Sequence, residues 1–461
     1  MHGLPIFKEM KKLLILAYDF PPYVSVGGLR PYNWFTYLKE FGVEPIVVTR
    51  QWQNKYGNHL DYIAEGYSKN IVVKNFDFGI KICTPYSPNL SNRLLLKYGE
   101  RKFRFLRKLI SGFYEFAQFL YPVGPKSEIY AAANAYLKEN KVDAIIATGD
   151  PFVLFTYAAQ LSKEFAIPWI ADYRDPWSHN QEHQRNTIQR TWNRFLEKRT
   201  VSCASHVVTV SSFVHKKIDS ILPKIPYSIL PNGYDPTIID AVKEIEQSAD
   251  IFSIGFVGTI YPWHPLSSFL RECETFVKRN PQVRLQLNFY GTNLQDKIIE
   301  LVECDFPALK NAVNVSPRLQ NAEVLEKLAS NNVVLLFNYY SYMGTKIFDY
   351  LGIKRKMILC YSDDPEANSL KQKYYQIEEF ESESKQLQAD LIRKTNSGIV
   401  VKDAVHLQEV LRELWDEFSS TGQVACHSVG VENYSRKLQV ERLAEVVMDL
   451  TPGHQAQIDK R

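Results

Sequence analysis

Short runs of consecutive apolar residues alternate with longer amphipathic segments along most of this 461-residue chain. Strands that are apolar at successive positions are typical of a parallel sheet covered by helices on both faces. In the first half we predict strands at residues 12–18, 44–49, 79–83, 142–148, 167–172, 206–210 and 227–230. We predict helices between them at residues 29–41, 127–140, 152–165, 186–203 and 211–221. This order predicts an α/β domain with a doubly wound sheet.

The alternation stops at Pro231-Asn232-Gly233-Tyr234-Asp235-Pro236, and polar residues follow to about Asp250. It then restarts, with strands predicted at residues 252–257, 283–290, 312–315, 333–337, 356–360 and 398–401. Helices are predicted at residues 265–279, 294–302, 321–330, 345–352, 403–418 and 432–450. The restart predicts a second doubly wound domain, which agrees with a chain too long for one ordinary core.

These patterns place four segments along the chain. We predict a first domain over 1–231, a linker over 232–250, a second domain over 251–430, and a C-terminal helix and tail over 431–461. Whether that helix crosses back to the first domain is left open. Two open α/β domains joined by a hinge predict a cleft, with ligands bound beyond the carboxyl ends of the strands.

Composition narrows the class of protein. A net charge of +4 is small for a nucleic-acid-binding protein, so no nucleic-acid partner is predicted. The six cysteines form no C-x-x-C pair, which indicates neither a zinc site nor a disulfide framework and favours the cytoplasm. No apolar run reaches the length of a membrane span, and the apolar residues after Lys12 are predicted to be a buried strand rather than a signal peptide.

Glycines follow the first predicted strand of each domain. Gly27 and Gly28 would let main-chain N–H groups approach a ligand closely. In the second domain, Gly258 and Thr259 could offer an N–H group and a hydroxyl to a diphosphate. The alternative is a simple strand-to-helix turn at Gly27-Gly28 and a simple turn residue at Gly258.

Charged side chains crowd the ends of two later strands of the first domain. Asp150 follows one, and Asp172-Tyr173-Arg174-Asp175-Pro176-Trp177 ends the other. We take Asp150, Arg174 and Asp175 as catalytic candidates, with Trp177 able to stack on a sugar; a structural Arg–Asp pair is the alternative. His179 and His183 follow and could transfer a proton near neutral pH, although solvated histidines are the ordinary case.

The segment from Gly344 to Gly352 combines a glycine, a predicted helix start and two charges three residues apart. A helix N-terminus attracts anions, and Thr345 and Lys346 lie at that end, so we expect phosphate there, with Lys346 also a catalytic candidate. Asp349, one turn later, can accept hydrogen bonds from a ribose. Arg318 follows another strand and could bind an anion or stack on a base. An amphipathic helix with a solvated Lys–Asp pair is the alternative.

Together these segments resemble glycosyltransferases of the GT-B fold, in particular the family-4-like group that transfers sugars in bacterial surface-glycan assembly. The resemblance is carried by Tyr18-Asp19-Phe20-Pro21-Pro22, Gly27-Gly28, Asp172-Tyr173-Arg174-Asp175-Pro176-Trp177, Leu230-Pro231-Asn232-Gly233-Tyr234-Asp235, Phe256-Val257-Gly258-Thr259 and Thr345-Lys346-Ile347-Phe348-Asp349-Tyr350-Leu351-Gly352. It covers about residues 12 to 450. It implies two Rossmann-like domains that face each other across a cleft, the first for the acceptor and the second for a nucleotide sugar.

The resemblance also implies residue roles. Lys346 would contact the diphosphate, and Asp349 would take the place of the family's ribose-binding glutamate. Gly27 and Gly28 would lie across the cleft near the phosphates. The resemblance suggests retention of anomeric configuration.

Two departures accompany the resemblance. The family's other glutamate, eight positions before Asp349, is replaced by Ser341, and the usual arginine near Gly258 is replaced by Tyr261-Pro262-Trp263-His264-Pro265. No D-x-D occurs, so we predict no metal, and expect a lysine, helix N-termini and main-chain amides to stabilise the departing diphosphate. A UDP- or GDP-sugar donor is predicted, with no other cofactor.

Residues 93–120 are predicted to contact a membrane surface. Between residues 97 and 108 lie six basic residues and one acid, beside leucines and aromatic residues. This mixture favours an interfacial helix on anionic lipid, and then a lipid-linked acceptor; a solvated helix packed on the sheet is the alternative.

We predict a cytoplasmic glycosyltransferase, peripheral on the inner face of the membrane, that uses a saccharide or lipid-linked acceptor in surface polysaccharide or glycoconjugate synthesis. A GT-B-fold sugar-nucleotide epimerase and a non-catalytic subunit of a glycan-assembly complex are the alternatives.

Overall fold

The computed structural model describes residues 10–53, 59–179, 187–222 and 224–451. The chain divides into two compact units. One comprises the described residues up to Pro231 together with those from Gln439 onward, and the other comprises Asn232–Leu438. His183 and the predicted tail beyond residue 451 lie outside the described residues.

The first unit is built on one sheet, which has eight strands within the described residues. They are β1 Lys11–Leu16, β2 Val43–Arg50, β3 Val72–Phe76, β4 Gly79–Thr84, β5 Ala144–Gly149, β6 Trp169–Tyr173, β7 His206–Thr209 and β8 Tyr227–Ile229. Their order is β3-β4-β2-β1-β5-β6-β7-β8, and all neighbours are parallel except β3 and β4. The predicted parallel sheet is confirmed, and β3 is an antiparallel edge strand that the sequence analysis missed.

Helices cover this sheet. They are α1 Val26–Tyr37, α2 His59–Ile63, α3 Leu90–Tyr98, α4 Arg104–Ala117, α5 Ser127–Glu139, α6 Val153–Phe165, α7 Thr187–Val201 and α8 Ser212–Asp219. A 3-10 turn, Leu38–Phe41, continues α1. Helix α1 begins three residues before the predicted start because the Ser25 hydroxyl accepts the Gly27 N–H and caps the first turn.

The second unit has a sheet of six strands, all parallel, within the described residues. They are β9 Phe252–Val257, β10 Leu285–Tyr290, β11 Val313–Ser316, β12 Val333–Phe337, β13 Lys356–Cys360 and β14 Gly398–Val401. Their order is β11-β10-β9-β12-β13-β14. Each of these strands coincides with a predicted one to within two residues at either end.

The helices of this unit are α9 Pro236–Val242, α10 Leu266–Arg279, α11 Gln295–Cys304, α12 Asn321–Ala329, α13 Lys346–Ile353, α14 Pro365–Tyr374, α15 Leu387–Thr395 and α16 Ala404–Thr421. Two 3-10 turns, Pro307–Leu309 and Val431–Tyr434, and the helix α17 Arg436–Leu450 complete the described elements. Helix α9 lies inside the segment predicted as a linker, and its Ile239 and Val242 side chains are buried.

Alternate residues of β12 enter two different apolar cores. Val333, Leu335 and Phe337 pack in one cluster, whereas Val334 and Leu336 pack in the other. Successive side chains of a strand point to opposite faces, so both faces of this sheet are covered. This is the physical reason for the continuous apolar runs in the sequence.

Candidate active site

Asp172 is a completely buried carboxylate at the end of β6. Its Oδ2 accepts the Thr148 hydroxyl at 2.8 Å, and its Oδ1 accepts Arg30 Nε at 2.9 Å. Arg30 also donates from Nη1 to the Leu230 carbonyl at 2.8 Å. A buried charge needs such pairing to be tolerated. Asp172 therefore ties α1 to the sheet and has a structural role.

Arg174, half-buried just after β6, holds the neighbouring strand end. Its Nε donates to the Gly149 carbonyl at 2.6 Å, and its Nη2 donates to the Asp150 carbonyl at 2.8 Å. The side chain of Asp150 stays exposed, as does that of Asp175. Arg174 thus fixes the loop that presents Asp150, which brings the catalytic candidates of the first unit to one edge of the sheet.

Gly27 and Gly28 make room for this arrangement. A Cβ on Gly27 would lie 2.3 Å from Arg174 Nη1, and a Cβ on Gly28 would lie 3.2 Å from the Phe20 nitrogen. Both separations are shorter than carbon side chains allow without movement. Within the first unit, the observed role of these glycines is close packing against Arg174 and the loop after β1.

Asp19 was missed as a site residue by the sequence analysis, although it follows a buried strand. Its Oδ2 accepts the Ser25 hydroxyl at 2.6 Å, and its Oδ1 is buried without a hydrogen-bond partner among the described residues. Burial raises the pKa of the Asp19 carboxyl above its ordinary value, while Ser25 and Arg174 act in the opposite direction. The Asp19 carboxylate is thus a buried hydrogen-bond acceptor, with one of its two oxygens unpaired within the described structure.

A cavity of about 360 Å³ lies beside these residues. Asp150 and Asp175 line it, so two of the predicted catalytic residues share one space. Six aromatic side chains form much of the wall: Tyr62, Phe116, Phe119, Phe152, Trp177 and Trp192. Carboxylates that accept hydroxyl groups, next to aromatic faces, are chemically suited to a sugar ring.

Trp177 is nearly buried, at 3% exposure, and its ring stacks on Phe119 and Phe152 with centroid distances of 5.4 and 5.2 Å. It forms part of a packed aromatic wall of the cavity. His179 lies two residues after Trp177. Its Nδ1 donates a hydrogen bond to the Lys217 carbonyl at 3.2 Å. This hydrogen bond assigns His179 a structural contact.

In the second unit, the structure brings Gly258 and Lys346 together. Gly258 has a φ of +107°, and a Cβ placed on it would lie 3.8 Å from Cγ and Cε of Lys346. The Gly258 N–H donates to the Tyr290 carbonyl at 3.3 Å. The N–H group that we expected to bind a diphosphate is therefore engaged in the sheet. Thr259, the next residue, is exposed.

Helix α13 begins at Lys346, and Thr345 at the N-cap makes no side-chain capping bond within the described structure. Lys346 Nζ lies 3.7 Å from Asp349 Oδ2, and Arg436 Nη2 lies 3.9 Å from Asp349 Oδ1. The Asp349 side chain is only 7% exposed, compared with 32% for Lys346. The pair is thus a buried carboxylate beside a partly accessible cation, not two solvated charges.

Arg318 follows β11 at the same carboxyl edge. A Cβ on Gly291, whose φ is +61°, would lie 3.2 Å from the Arg318 Cα, so the two main chains pack closely. Since β9, β10 and β11 are parallel neighbours, Gly258, Gly291 and Arg318 follow successive strand ends.

Aromatic side chains stand where the resemblance leads one to expect an arginine. The rings of Tyr261, Trp263 and Tyr339 are nearly parallel, with Tyr261 centroids 4.6 Å from Trp263 and 5.2 Å from Tyr339. His264 accepts the Tyr261 N–H at Nδ1, and burial lowers its pKa to about 3. The imidazole is therefore neutral at physiological pH. Trp263 Nε1 and His264 Nε2 are buried without partners among the described residues.

Ser341 is not an isolated replacement for a glutamate. Its hydroxyl donates to the carboxylate of Glu379, whose other oxygen lies 3.1 Å from Lys371 Nζ. A carboxylate from a distant segment thus meets Ser341. No local pattern in the sequence signals this contact, since 38 residues separate the two.

The family comparison gives a direct result. Residues 32–238 match the model of Glycosyltransferase Family 4. Among solved structures, the fold is similar to sucrose-phosphate synthase of Thermosynechococcus elongatus (TM-score 0.54, 14% identity, 98% of each chain covered). It is also similar to the UDP-forming α,α-trehalose-phosphate synthase of Burkholderia xenovorans with glucose-6-phosphate (TM-score 0.59, 10% identity, 95% of this chain and 100% of that one).

A third similar structure is HepE of Anabaena in complex with UDP and glucose (TM-score 0.50, 13% identity, 95% of this chain and 100% of that one). No curated protein sequence matches the chain. The structural similarities establish the GT-B fold, as predicted. Residues 32–238 of this GT-B chain carry the match to Glycosyltransferase Family 4.

Two further observations concern membrane spans and metal sites. Within the described residues, no helix is long and apolar enough to cross a bilayer. In the same part of the chain, no three His, Cys, Asp or Glu side chains group closely enough to hold a metal ion.

Proposed function

We propose that this protein is a glycosyltransferase that moves a sugar from a UDP- or GDP-sugar to a saccharide acceptor, with retention of configuration and without a metal ion. The observation that carries the proposal is Lys346 at the uncapped start of α13, packed beside Gly258, with the Asp349 carboxylate buried one turn further. Cation and helix N-terminus attract a diphosphate, and the carboxylate can accept ribose hydroxyls. The resemblance to family-4-like enzymes supports retention.

The donor's diphosphate is the leaving group. The bond between the anomeric carbon and the diphosphate oxygen breaks, the acceptor hydroxyl oxygen forms the new bond, and the hydroxyl proton passes to the departing diphosphate. Lys346, with the hydroxyls of Thr345 and Thr259 and the guanidinium of Arg318, would stabilise the charge that develops. One such preorganised donor contributes about 3 kcal/mol to lowering the barrier.

We assign donor binding to the second unit and acceptor binding to the cavity of the first. Asp150 and Asp175 would accept hydroxyl groups of the acceptor, and Arg174 would hold the loop that presents Asp150. The contribution of Gly27 and Gly28 to phosphate binding stays a prediction. The domain roles rest on the chemistry of the two sets of residues, one cationic beside a helix start and the other acidic beside aromatic rings.

We further propose a cytoplasmic enzyme at the inner face of a membrane, in surface polysaccharide or glycoconjugate synthesis. The support is α4, on which exposed aromatic and basic side chains lie together. Such a surface favours anionic lipid.

A thermal-shift panel of UDP-, GDP-, ADP- and dTDP-sugars tests donor binding, because a ligand that binds only the native state raises stability, by about 2.7 kcal/mol at a hundredfold excess over Kd. We expect a UDP- or GDP-sugar to raise Tm and then to release nucleotide slowly without acceptor, unaffected by EDTA. Isomerised sugar without nucleotide release would instead indicate an epimerase. No stabilisation by any nucleotide would indicate a non-catalytic subunit.

The anomeric outcome has its own measurement. Once donor and acceptor are identified, NMR of the product should show the donor's anomeric configuration. Inversion would contradict the retaining assignment while leaving the transferase assignment intact.

A further inference from the structure

Helix α4 is unusual because none of its fourteen described residues is buried. Three of its exposed side chains are large and apolar: Phe105 is 76% exposed, Leu109 58% and Phe113 67%. Leaving such side chains in water is unfavourable, since burying a Leu or Phe side chain contributes roughly 1.5–3 kcal/mol of favourable free energy. Their concentration on one helix marks an interaction surface.

The exposed apolar residues form one stripe. Phe105, Leu109 and Phe113 are spaced by four residues, so they lie above one another on the same face of α4. Ser111, on another side, forms a hydrogen bond of 2.8 Å with Ser91 of α3. Helix α4 is therefore anchored by one side to its own unit and presents the apolar stripe outward.

Basic residues border this stripe. Six of them lie between residues 97 and 108 with a single acid, Glu100. Arg101, Lys102, Arg104 and Lys108 are all exposed. Exposed apolar side chains flanked by exposed cations complement an anionic lipid surface, which offers both an acyl region and negative headgroups.

A second copy of the chain is a poorer occupant of the same surface. In a two-fold dimer the same patch meets itself. The cations around α4 would then face their own copies, and like charges in contact oppose association. The charge pattern thus favours lipid over self-association.

The C-terminal end of α4 reaches the cavity of the first unit. Glu115 and Phe116, the two residues before the last residue of this helix, line the cavity together with Phe119 just beyond it. Phe116 is also 44% exposed, so the apolar stripe continues to the cavity wall. A molecule with a lipid tail and a sugar head could therefore contact both regions.

We propose that α4 lies on an anionic bilayer and that the acceptor is a lipid-linked saccharide, with its sugar in the cavity and its lipid retained in the membrane beside α4. This inference rests on the proposed function for its transfer step. The cavity provides carboxylates and aromatic faces for hydroxyl groups, whereas the cations on α4 can meet the acidic phosphate linkage and headgroups.

Vesicle co-sedimentation tests the membrane part. We expect the full chain to bind phosphatidylcholine vesicles that contain phosphatidylglycerol, to bind phosphatidylcholine alone much less, and to be released by high salt. The double variant Phe105→Ser/Phe113→Ser should lower the partition coefficient at least about tenfold. The double variant Arg104→Glu/Lys108→Glu should have a similar effect on anionic vesicles only.

The control variant replaces exposed apolar residues of the second unit. Val405 is 71% exposed and Val429 59%, so Val405→Ser/Val429→Ser removes exposed apolar side chains outside the unit that contains α4. It should bind vesicles like the wild type. Equal loss in both apolar variants, or binding indifferent to anionic lipid, overturns the proposal. A wild-type dimer that dissociates in the α4 variants would assign this surface to a second copy instead.

The acceptor part needs an activity readout that separates it from donor chemistry. Slow nucleotide release from the donor should be unchanged in Phe105→Ser/Phe113→Ser, because these residues lie outside the donor site. Transfer to a lipid-linked saccharide in anionic vesicles should fall about tenfold, with transfer to the free saccharide unaffected. Equal rates on free and lipid-linked acceptors in the wild type would refute the lipid linkage. Absence of nucleotide release from every donor with the wild type would instead refute the proposed function, and loss of release in the variant alone would refute the separation of α4 from the donor site.

Discussion

The two units hold their cations differently at the carboxyl edges of their sheets. In the first, Arg174 donates to two main-chain carbonyls, and Arg30 is paired with the fully buried Asp172. In the second, Lys346 comes no closer than 3.7 Å to Asp349 and is about a third exposed. The first unit has cations fixed by short hydrogen bonds, whereas the second has a cation with a loose partner.

This difference separates a structural role from a ligand-binding one. Removing Arg30 leaves the buried Asp172 carboxylate without its cation, and removing Arg174 releases the two carbonyls that hold the loop after β5; both changes cost stability. A loosely paired lysine can move its charge to a phosphate without breaking the fold. We therefore expect substitutions of Arg30 and Arg174 to act on folding and substitutions of Lys346 to act on turnover.

The largest expected effect is that of Lys346→Ala. It removes a charge that stabilises the departing diphosphate, so turnover should fall about a hundredfold, equivalent to roughly 3 kcal/mol in the barrier. The matched control is Lys297→Ala, which breaks another Lys–acid pair three residues apart, Lys297–Glu300 at 3.3 Å. Steady-state rates and urea unfolding of both variants are the measurements.

Both lysine variants should unfold nearly as the wild type does. Lys297–Glu300 is an exposed pair, which contributes little stability, and the buried Asp349 carboxylate keeps Arg436 at 3.9 Å when Lys346 is removed. Near-normal turnover of Lys346→Ala would remove this lysine from the site. If Lys346→Ala instead lost much stability and kept its turnover, Lys346 would have the structural role that we assign to Arg30 and Arg174.

His264 should make the second unit sensitive to acid. Its pKa is about 3 in the folded protein, compared with 6.5 ordinarily, because burial disfavours the charged ring. The unfolded chain takes up a proton below pH 6.5 and the folded chain does not, so stability is complete above 6.5 and is lost as the pH falls toward 3. At about pH 4.5 the loss should be roughly 2.5 kcal/mol.

The variant His264→Asn keeps an acceptor near the Nδ1 position for the Tyr261 N–H but has no proton to gain. Its unfolding free energy, measured by urea at several pH values, should fall less on acidification than that of the wild type. Parallel pH profiles for the two proteins would show that His264 does not control the acid response.

Gly27→Ala should reveal how tightly Arg174 is held. The new Cβ would lie 2.3 Å from Arg174 Nη1 and 3.0 Å from Asp19 Oδ2, so the guanidinium must move. Overpacking of this kind costs typically 1–3 kcal/mol. Gly112→Ala, in α4, is the control, since nothing lies within 4 Å of its Cβ position and alanine favours a helix by roughly 0.5–1 kcal/mol. Urea unfolding should show a lower free energy of unfolding for Gly27→Ala and a higher one for Gly112→Ala. Equal changes in the two variants would mean that the Arg174 guanidinium moves aside at little cost in free energy.

The parts of the structure that the sequence predicts depend on local pattern. The strands of the second unit are continuous apolar runs because both sheet faces are covered, and they were located to within two residues. Strand β3 was missed because most of its residues are exposed at the sheet edge, as in the sequence VVKNF. Its short mixed run gives no comparable signal.

The site was predictable only where neighbours along the chain define it. Lys346 and Asp349 share one helix, so their spacing predicts their proximity. Asp19 was overlooked because its importance depends on Arg174, far along the chain, and Glu379 because it meets Ser341 from a separate segment. The use of the Gly258 N–H by Tyr290 likewise depends on strand pairing.

The smallest expected effect is the contribution of Asp19 to the pH dependence of stability. Its sign is opposite to that of the contribution of His264. Burial raises the pKa of Asp19 in the folded state, so the folded protein holds this proton to a higher pH than the unfolded chain. Stability should therefore be reduced as the pH rises through the ordinary value of 3.8 toward the raised one, and remain reduced at neutral pH. Asp19→Asn removes the charge while keeping an acceptor for Ser25, so it should raise Tm at neutral pH and change it little near pH 3. If Tm falls at neutral pH instead, attraction between Asp19 and Arg174 outweighs the cost of burial, and the first unit depends on that ion pair more than on the carbonyl contacts of Arg174.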